Sequence, residues 1–432
     1  MADIPVKYYT SSMQGAPQLT NEWGDLVTML DACLVTGFNL KSVTTLTSAA
    51  GIATATISAG HLYEVDQVLL MAGADQAEYN GDVRVLTANA TQFTFAVAGT
   101  PASPATGTLS VKVAPLNFDI AFTGTNKRVY RSKNVLSNRP YLRVDNSLDP
   151  AYTTTYAKKG KVTMAEAMTD VDTFVANTGR APFDPVIPTK NEVGTGSGTT
   201  AVDGWYKWYY ARAENNGNGQ DQTAPATFNR SWVLVGDDRG FYFFASWNGG
   251  PRACYYFTDF ASFRQGDAYS SILGATEFNT TASANPSSFG YSDYGSSDFG
   301  CYASRTGNAT GKVCMRSHLQ VGGTIRLGHV SLGTIQGTLA SGLSTGVPWP
   351  NGPDYALILH PVYLQEESTG NLRGKLPGIM FVHNNKPLAD LTVVGNVTGY
   401  AGRKFLMVDT AHSAVNSAQT ARMAFDITGP WW

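Results

Sequence analysis

The sequence predicts a mainly β protein: a small N-terminal β-barrel module, a larger β-sandwich-like region and two short helices. Three observations predict it. Residues 231–244 hold two apolar runs, Trp-Val-Leu-Val from Trp232 and Phe-Tyr-Phe-Phe from Phe241, around the turn-rich Gly236-Asp237-Asp238-Arg239-Gly240. That is the pattern of a β-hairpin buried on both faces. Residues 42–115 alternate short strand patterns with turn dipeptides. Finally, 44 glycines among many Thr, Ser, Ala and Asn favour short strands and frequent turns over long helices.

At 432 residues the chain is long for one core. Its patterning divides into a strand and helix at 1–41 that pack with the main body, the small barrel at 42–115, a strand-and-helix connector at 116–200, and an aromatic-rich sandwich-like domain at 201–432. The 31 basic and 33 acidic residues nearly cancel, so no strong field favours nucleic acid or an anionic membrane. With only 15% charged residues, the surface fits a chain covered by neighbours better than a free monomer. The opening Met-Ala-Asp-Ile-Pro-Val-Lys has no leader pattern, and no apolar run approaches a membrane span, so synthesis in the cytoplasm without membrane insertion is expected. Cys33, Cys254, Cys301 and Cys314 are too scattered for a disulfide framework and are expected as free thiols. A Cys301–Cys314 pair or metal site is the alternative, without CxxC or HxxxH spacing to support it.

Taken in order, the chain opens with a strand near Val6 and a turn at Gly15-Ala16-Pro17. Trp23, Leu26, Val27, Leu30, Cys33 and Leu34 then recur at helical spacing, with Asn21 as cap and Gly37 as stop. In 42–115, strands are expected near 53–57, 67–71, 83–86, 93–97 and 108–113, with a type I′ hairpin turn at Asn80-Gly81. His61 follows Gly60 in a turn and has no partner base or nucleophile near it, which points to a structural histidine. Lys127, Arg128, Arg131, Lys133, Arg139 and Arg143 make 116–160 the most positive part. Interspersed Asp145 and Asp149 favour solvated strand faces or inter-subunit ion pairs over a phosphate-tracking surface. A second helix is expected over 164–174, with Thr163 and Glu166 as a capping box and Glu166, Asp170 and Asp172 on its solvated face. Residues 176–200 read as a long loop or linker.

From 201 to 305 the chain carries 24 of its 49 aromatic residues, set among Gly, Ser, Asn and Asp, a mixture that serves recognition surfaces and large β cores alike. As a recognition surface the candidates are Trp205, Tyr206, Trp208, Tyr209, Trp247, Tyr255 and Tyr256, whose rings suit sugar faces. Further strands follow to the end, and the five histidines from His318 onward form no short-range metal motif. The asparagine-rich loop at 215–221 lacks the acidic ligands of a calcium loop, and Gly307-Asn-Ala-Thr-Gly311-Lys312-Val313 is one residue short of a phosphate-binding loop. Neither GxSxG nor any other catalytic constellation appears, so no enzymatic activity and no cofactor are expected.

Four stretches together carry a family resemblance: Gly15-Ala16-Pro17 with Leu19, the Trp-Val-Leu-Val-Gly-Asp-Asp from Trp232, the Leu-Arg-Gly-Lys-Leu-Pro-Gly-Ile-Met from Leu372, and the Phe-Asp-Ile-Thr-Gly-Pro-Trp from Phe425. With the Asn-Gly-Asp-Val-Arg-Val module, which resembles a small β-barrel of phage tail and fibre proteins, the chain resembles virion structural proteins of tailed bacteriophages, associated with the tail or baseplate. The module is also similar to a β-barrel of ubiquitin-activating enzymes, a likeness of fold alone. The first resemblance implies a virion component made in the host cytoplasm, partnered by itself and by other tail or baseplate proteins, and acting as an oligomeric scaffold near the host-attachment apparatus. A receptor-binding fibre or spike that reads a glycan or surface protein through 201–305 is the alternative. Arg373, Pro377, Trp431 and Trp432 are the candidate assembly contacts.

Overall fold

The hairpin at 231–244 forms as its pattern dictates. In the computed structural model, which describes residues 4–213, 223–246, 249, 252–277, 311–330, 357, 359–382, 388–411 and 420–432, strand Trp232–Asp237 pairs antiparallel with Gly240–Ala245, and every position of both is buried. Asp237 lies opposite Gly240, so Asp238 and Arg239 alone make the turn. Asp237 closes it with Oδ1, which accepts the backbone N–H of Arg239 at 2.8 Å and of Gly240 at 3.0 Å. Gly240 admits no side chain, because a Cβ there would stand 2.3 Å from the Thr258 backbone.

Around this hairpin the mainly β class is realised. Among the described residues, Lys7–Thr10 flanks Trp232–Asp237 on one side. On the other side follow Ala253–Asp259, Ser271–Gly274, Lys312–Arg316, Gly322–Val330, Leu359–Glu366, Leu372–Val382, Thr420–Asp426, Lys404–Ala411 and Val393–Gly395. A second sheet runs Phe118–Gly124, Lys127–Ser132, Tyr141–Asp145, Lys158–Ala165, Tyr206–Ala211, Thr276–Glu277. It packs against the first through aromatic rings: Trp208 lies 5.9 Å from Phe241 and 6.2 Å from Tyr255, and Phe118 lies 6.1 Å from Phe241. Residue 200, where a domain boundary is expected, ends the short 3-10 turn Gly198–Thr200 on the connection between two paired strands of this second sheet, Lys158–Ala165 and Tyr206–Ala211.

The helix Asp25–Asp31, extended by a π-turn at Ala32–Thr36, ends at Gly37 with φ 70°, as its glycine stop predicts. Its cap is not Asn21, which donates to the Pro225 carbonyl. Asn146, remote in sequence, accepts the backbone N–H groups of Gly24 and Leu26 through Oδ1 at 2.9 and 3.1 Å. The helix lies on the second sheet at Gly160, where a Cβ would come within 2.7 Å of Leu26 Cδ2.

The second expected helix does not form. Met164 lies in strand Lys158–Ala165, and the residues after the strand make a tight loop bridged between Met168 and Phe174. Glu166, expected to cap, accepts the Gly179 N–H at 2.9 Å and pairs with Arg316. Sheet neighbours on both sides of Lys158–Ala165 outbid a weak local helical pattern. The 176–200 stretch is a packed loop: Asn191 is buried and donates to Val162 O and Thr163 Oγ1, each at 2.9 Å.

The small module is two four-stranded sheets. One orders Phe38–Ser42, Gly107–Val113, Val68–Ala74, Gly81–Arg84, and the other Thr45–Ala49, Ile52–Thr56, Gln92–Ala96, Thr87–Ala88. Each edge strand of the first runs directly into an edge strand of the second, so the sheets are joined along both edges around Leu46, Phe93, Phe95, Leu69, Met71 and Val111, without one closed ladder. Asn80-Gly81 is not a two-residue turn. Asn80 bridges the longer connection instead, accepting the Ala74 N–H at 3.0 Å and donating to its C=O at 2.7 Å. His61 is buried here and accepts the Tyr63 N–H through Nδ1 at 3.1 Å. Trp247, Cys301, the 215–221 loop, His383 and His412 lie outside the described residues.

Candidate functional site

Five of the seven residues expected as an aromatic recognition surface are core. In Tyr206–Ala211 the two-residue period turns Tyr206 and Trp208 to one face and Tyr209 to the other, and both faces are covered, so all three are fully buried. Trp208 Nε1 donates to Gly274 O at 2.8 Å, and Tyr206 Oη donates to Glu277 Oε2 at 3.0 Å. Tyr255 and Tyr256 are buried likewise; Tyr255 Oη accepts the Tyr209 N–H at 3.1 Å. Trp205 is half-buried beneath the Lys190 ammonium, 4.1 Å from its ring.

Three of the four expected assembly contacts turn inward. Arg373 is fully buried, pairing with Glu366 at 2.8 Å and Asp267 at 3.1 Å. Pro377 is buried and its carbonyl accepts Tyr242 Oη at 2.8 Å. Trp431 is half-buried, 6.0 Å from the Tyr242 ring, over Gly378. Trp432 alone stays exposed, at 40%.

Of the basic side chains expected on solvated faces in 116–160, Arg143 is buried, Lys127 and Arg128 pair within the chain with Asp172 and Asp31 at 3.0 Å each, and Lys133 stays exposed beside an exposed Asp119. Lys161 sits among Asp203 at 3.0 Å, Asp149 at 3.2 Å and Asp145 at 3.5 Å, and Arg143 pairs with Asp145 at 3.1 Å. Burial works against the ionised Asp203, but Lys159 and Lys161 outweigh it and hold the carboxyl below its usual range. The loops at 146–157 and 182–205 supply Asp149 and Asp203, so the charges are paired within the chain.

What sequence reasoning missed is a cleft of about 490 Å³ beside the hairpin turn, lined by Arg239, Asp259, Ser262, Arg264, Asp267, Ser270 and Trp432 among others. Trp432 is fixed there by its indole N–H, donated to Asp237 Oδ2 at 2.7 Å. The Arg239 guanidinium lies over its ring at 4.6 Å. Burial pushes Asp237 up to about 7, against the pull of its N–H donors and with Asp238 adding in the same direction. Asp259 accepts Ser271 Oγ at 2.6 Å and the Asn138 N–H at 2.9 Å, and burial raises its pKa as well. Asp267 accepts Ser262 Oγ at 2.8 Å and Gln320 Nε2 at 2.9 Å besides Arg373.

Both oxygens of both lining carboxylates are thus engaged by donors. Arg239 and Arg264 make no ion pair among the described residues, which also hold no cluster of His, Cys, Asp and Glu able to bind a metal. The arrangement is equipped for binding: the Arg239 guanidinium, the Arg264 guanidinium that donates to the His318 carbonyl, two hydroxyls and an indole. In the sequence its one signal is the charged Asp237-Asp238-Arg239 turn inside an apolar hairpin. No known family matches the chain, and no curated protein is similar to it in sequence.

Proposed function

We propose that the chain is a structural component of a bacteriophage tail or baseplate, a non-catalytic homo-oligomeric scaffold near the host-attachment apparatus. The observation that carries this reading is a group of large apolar side chains left in solvent on the loops that bound the cleft: Leu136 at 73%, Leu319 at 74%, Val321 at 64% and Phe263 at 56% exposed. These loops belong together. Arg264 donates to His318 O, Gln320 to Asp267, and Phe263 N–H to Arg373 O at 2.9 Å. Apolar side chains gathered in this way favour a covered surface. The resembling motifs also meet in space, since Ile379 pairs with Phe425 and Tyr242 of the hairpin packs on Phe425 at 5.2 Å. Sedimentation velocity should show a discrete oligomer, and a monomer with no affinity for other tail proteins would overturn the reading.

A second reading, receptor binding, is supported by the cleft and its exposed Trp432. The aromatic set at 205–256 does not support it.

A further inference from the structure

We propose that the cleft beside the hairpin turn binds a carboxylated sugar, with Arg239 and Arg264 holding its carboxylate, Trp432 its apolar ring face, and Ser262, Ser270 and Asp259 its hydroxyls. The proposal rests on the receptor-binding reading and names its ligand class. The charge balance of the lining comes first. Asp267 is occupied by Arg373, which it shares with Glu366, and by two further side-chain donors, whereas Arg239 and Arg264 make no ion pair among the described residues. No carboxylate of the described residues pairs with either guanidinium, so a ligand carboxylate can take both, whereas a phosphate would bring a second charge toward Asp259 and Asp267.

Pre-organisation comes next. The Arg239 guanidinium lies 4.6 Å from the ring of an indole that Asp237 fixes in place, and its Nε is buried without a hydrogen-bond partner. A buried donor without a partner is costly, and a carboxylate offers a planar pair of acceptors that an arginine fork matches. The remaining lining suits a polyol. Ser262, Ser270 and the Asp259 carboxylate are short polar groups around a volume of about 490 Å³, and Trp432 presents the ring to which the C–H face of a pyranose adheres.

Isothermal titration with glucuronate, glucose and inorganic phosphate tests the assignment, because the two sugars differ only at the carboxylate. Glucuronate should bind at least about tenfold tighter than glucose and than phosphate, and Arg239→Gln should remove at least about tenfold of that affinity, with Arg239→Lys intermediate. Equal binding of the two sugars, no binding of either, tighter binding of phosphate, or an unchanged Arg239→Gln protein overturns the proposal. Should Arg239→Gln fail to fold, Arg264→Gln and the wild-type glucuronate-to-glucose ratio decide. Adsorption of the purified protein to host cells is read separately. Adsorption without glucuronate binding removes the ligand assignment and keeps receptor binding; selective glucuronate binding without adsorption keeps the cleft's ligand and removes the receptor reading.

Discussion

Asp237 is buried at the tip of the hairpin, and all three of its hydrogen-bond partners are N–H donors. Its native pKa, about 7, stands above the ordinary 3.8, so the folded protein keeps this proton after the unfolded chain has lost it. The stability it lends is complete below about pH 3.8 and is lost progressively as pH rises to about 7, on the order of 4 kcal/mol in all at 1.36 kcal/mol per unit. Asp237→Asn cannot ionise and should gain on the wild type across that interval, read as the difference in urea midpoints. Parallel pH profiles would show that the carboxyl is charged throughout. Arg373 poses the opposite case: a buried cation between two buried carboxylates. Arg373→Ala leaves Asp267 and Glu366 charged and should cost about 3–5 kcal/mol by chemical denaturation. Adding Asp267→Asn and Glu366→Gln should recover much of that loss, and no recovery would place the cost in packing.

Among the elements, Lys158–Ala165 shows how the fold handles a strand with two unlike faces. Gly160, Val162 and Met164 meet the helix and core, while Lys159, Lys161 and Thr163 meet a layer of acidic loops. The helix is seated by the missing side chain at Gly160. Gly160→Ala should therefore destabilise by about 1–3 kcal/mol through overpacking. Leu26→Ala in the same chain should relieve part of that penalty, so a double-mutant cycle should return a coupling well above zero. Strict additivity would show that the helix is not seated there. This strand also explains the misplaced second helix. Met164, Met168 and Val171 do recur at helical spacing, but Met164 belongs to the five-residue ladder with Tyr141–Asp145, which local spacing cannot reveal.

At the scale of the molecule, the exposed Leu136, Phe263 and Leu319 stand on loops beside the cleft, where the proposed oligomer would bury them. Phe263→Ser with Leu319→Ser should shift the oligomer toward monomer in sedimentation velocity while leaving the circular dichroism of the sheets unchanged. An unchanged oligomer would move the interface elsewhere. Some of the architecture was readable beforehand: the 232–245 hairpin, the helix with its Gly37 stop, and the strands of the small module each follow from residues close together in sequence, through a period of two or 3.6 and a turn glycine. The site was not readable. The cleft is assembled from Leu136, Arg239, the 259–270 segment and Trp432, which approach only when the hairpin, its neighbour strand and the last residues pack together.

The division has one physical reason. By itself the sequence determined the local geometry of this protein, because hydrophobic period, turn chemistry and positive-φ glycines act over a few residues. Only the tertiary structure decided which faces were covered, since burial depends on partners far away in the chain. Tyr206, Trp208 and Tyr255 look like a recognition surface until the two sheets that carry them pack together. Arg143 belongs to strands expected as solvated faces, yet it is buried and Asp172 arrives beside it from a later loop. Arg239, an ordinary turn residue in sequence, lines a cleft only when Trp432 is brought beside it.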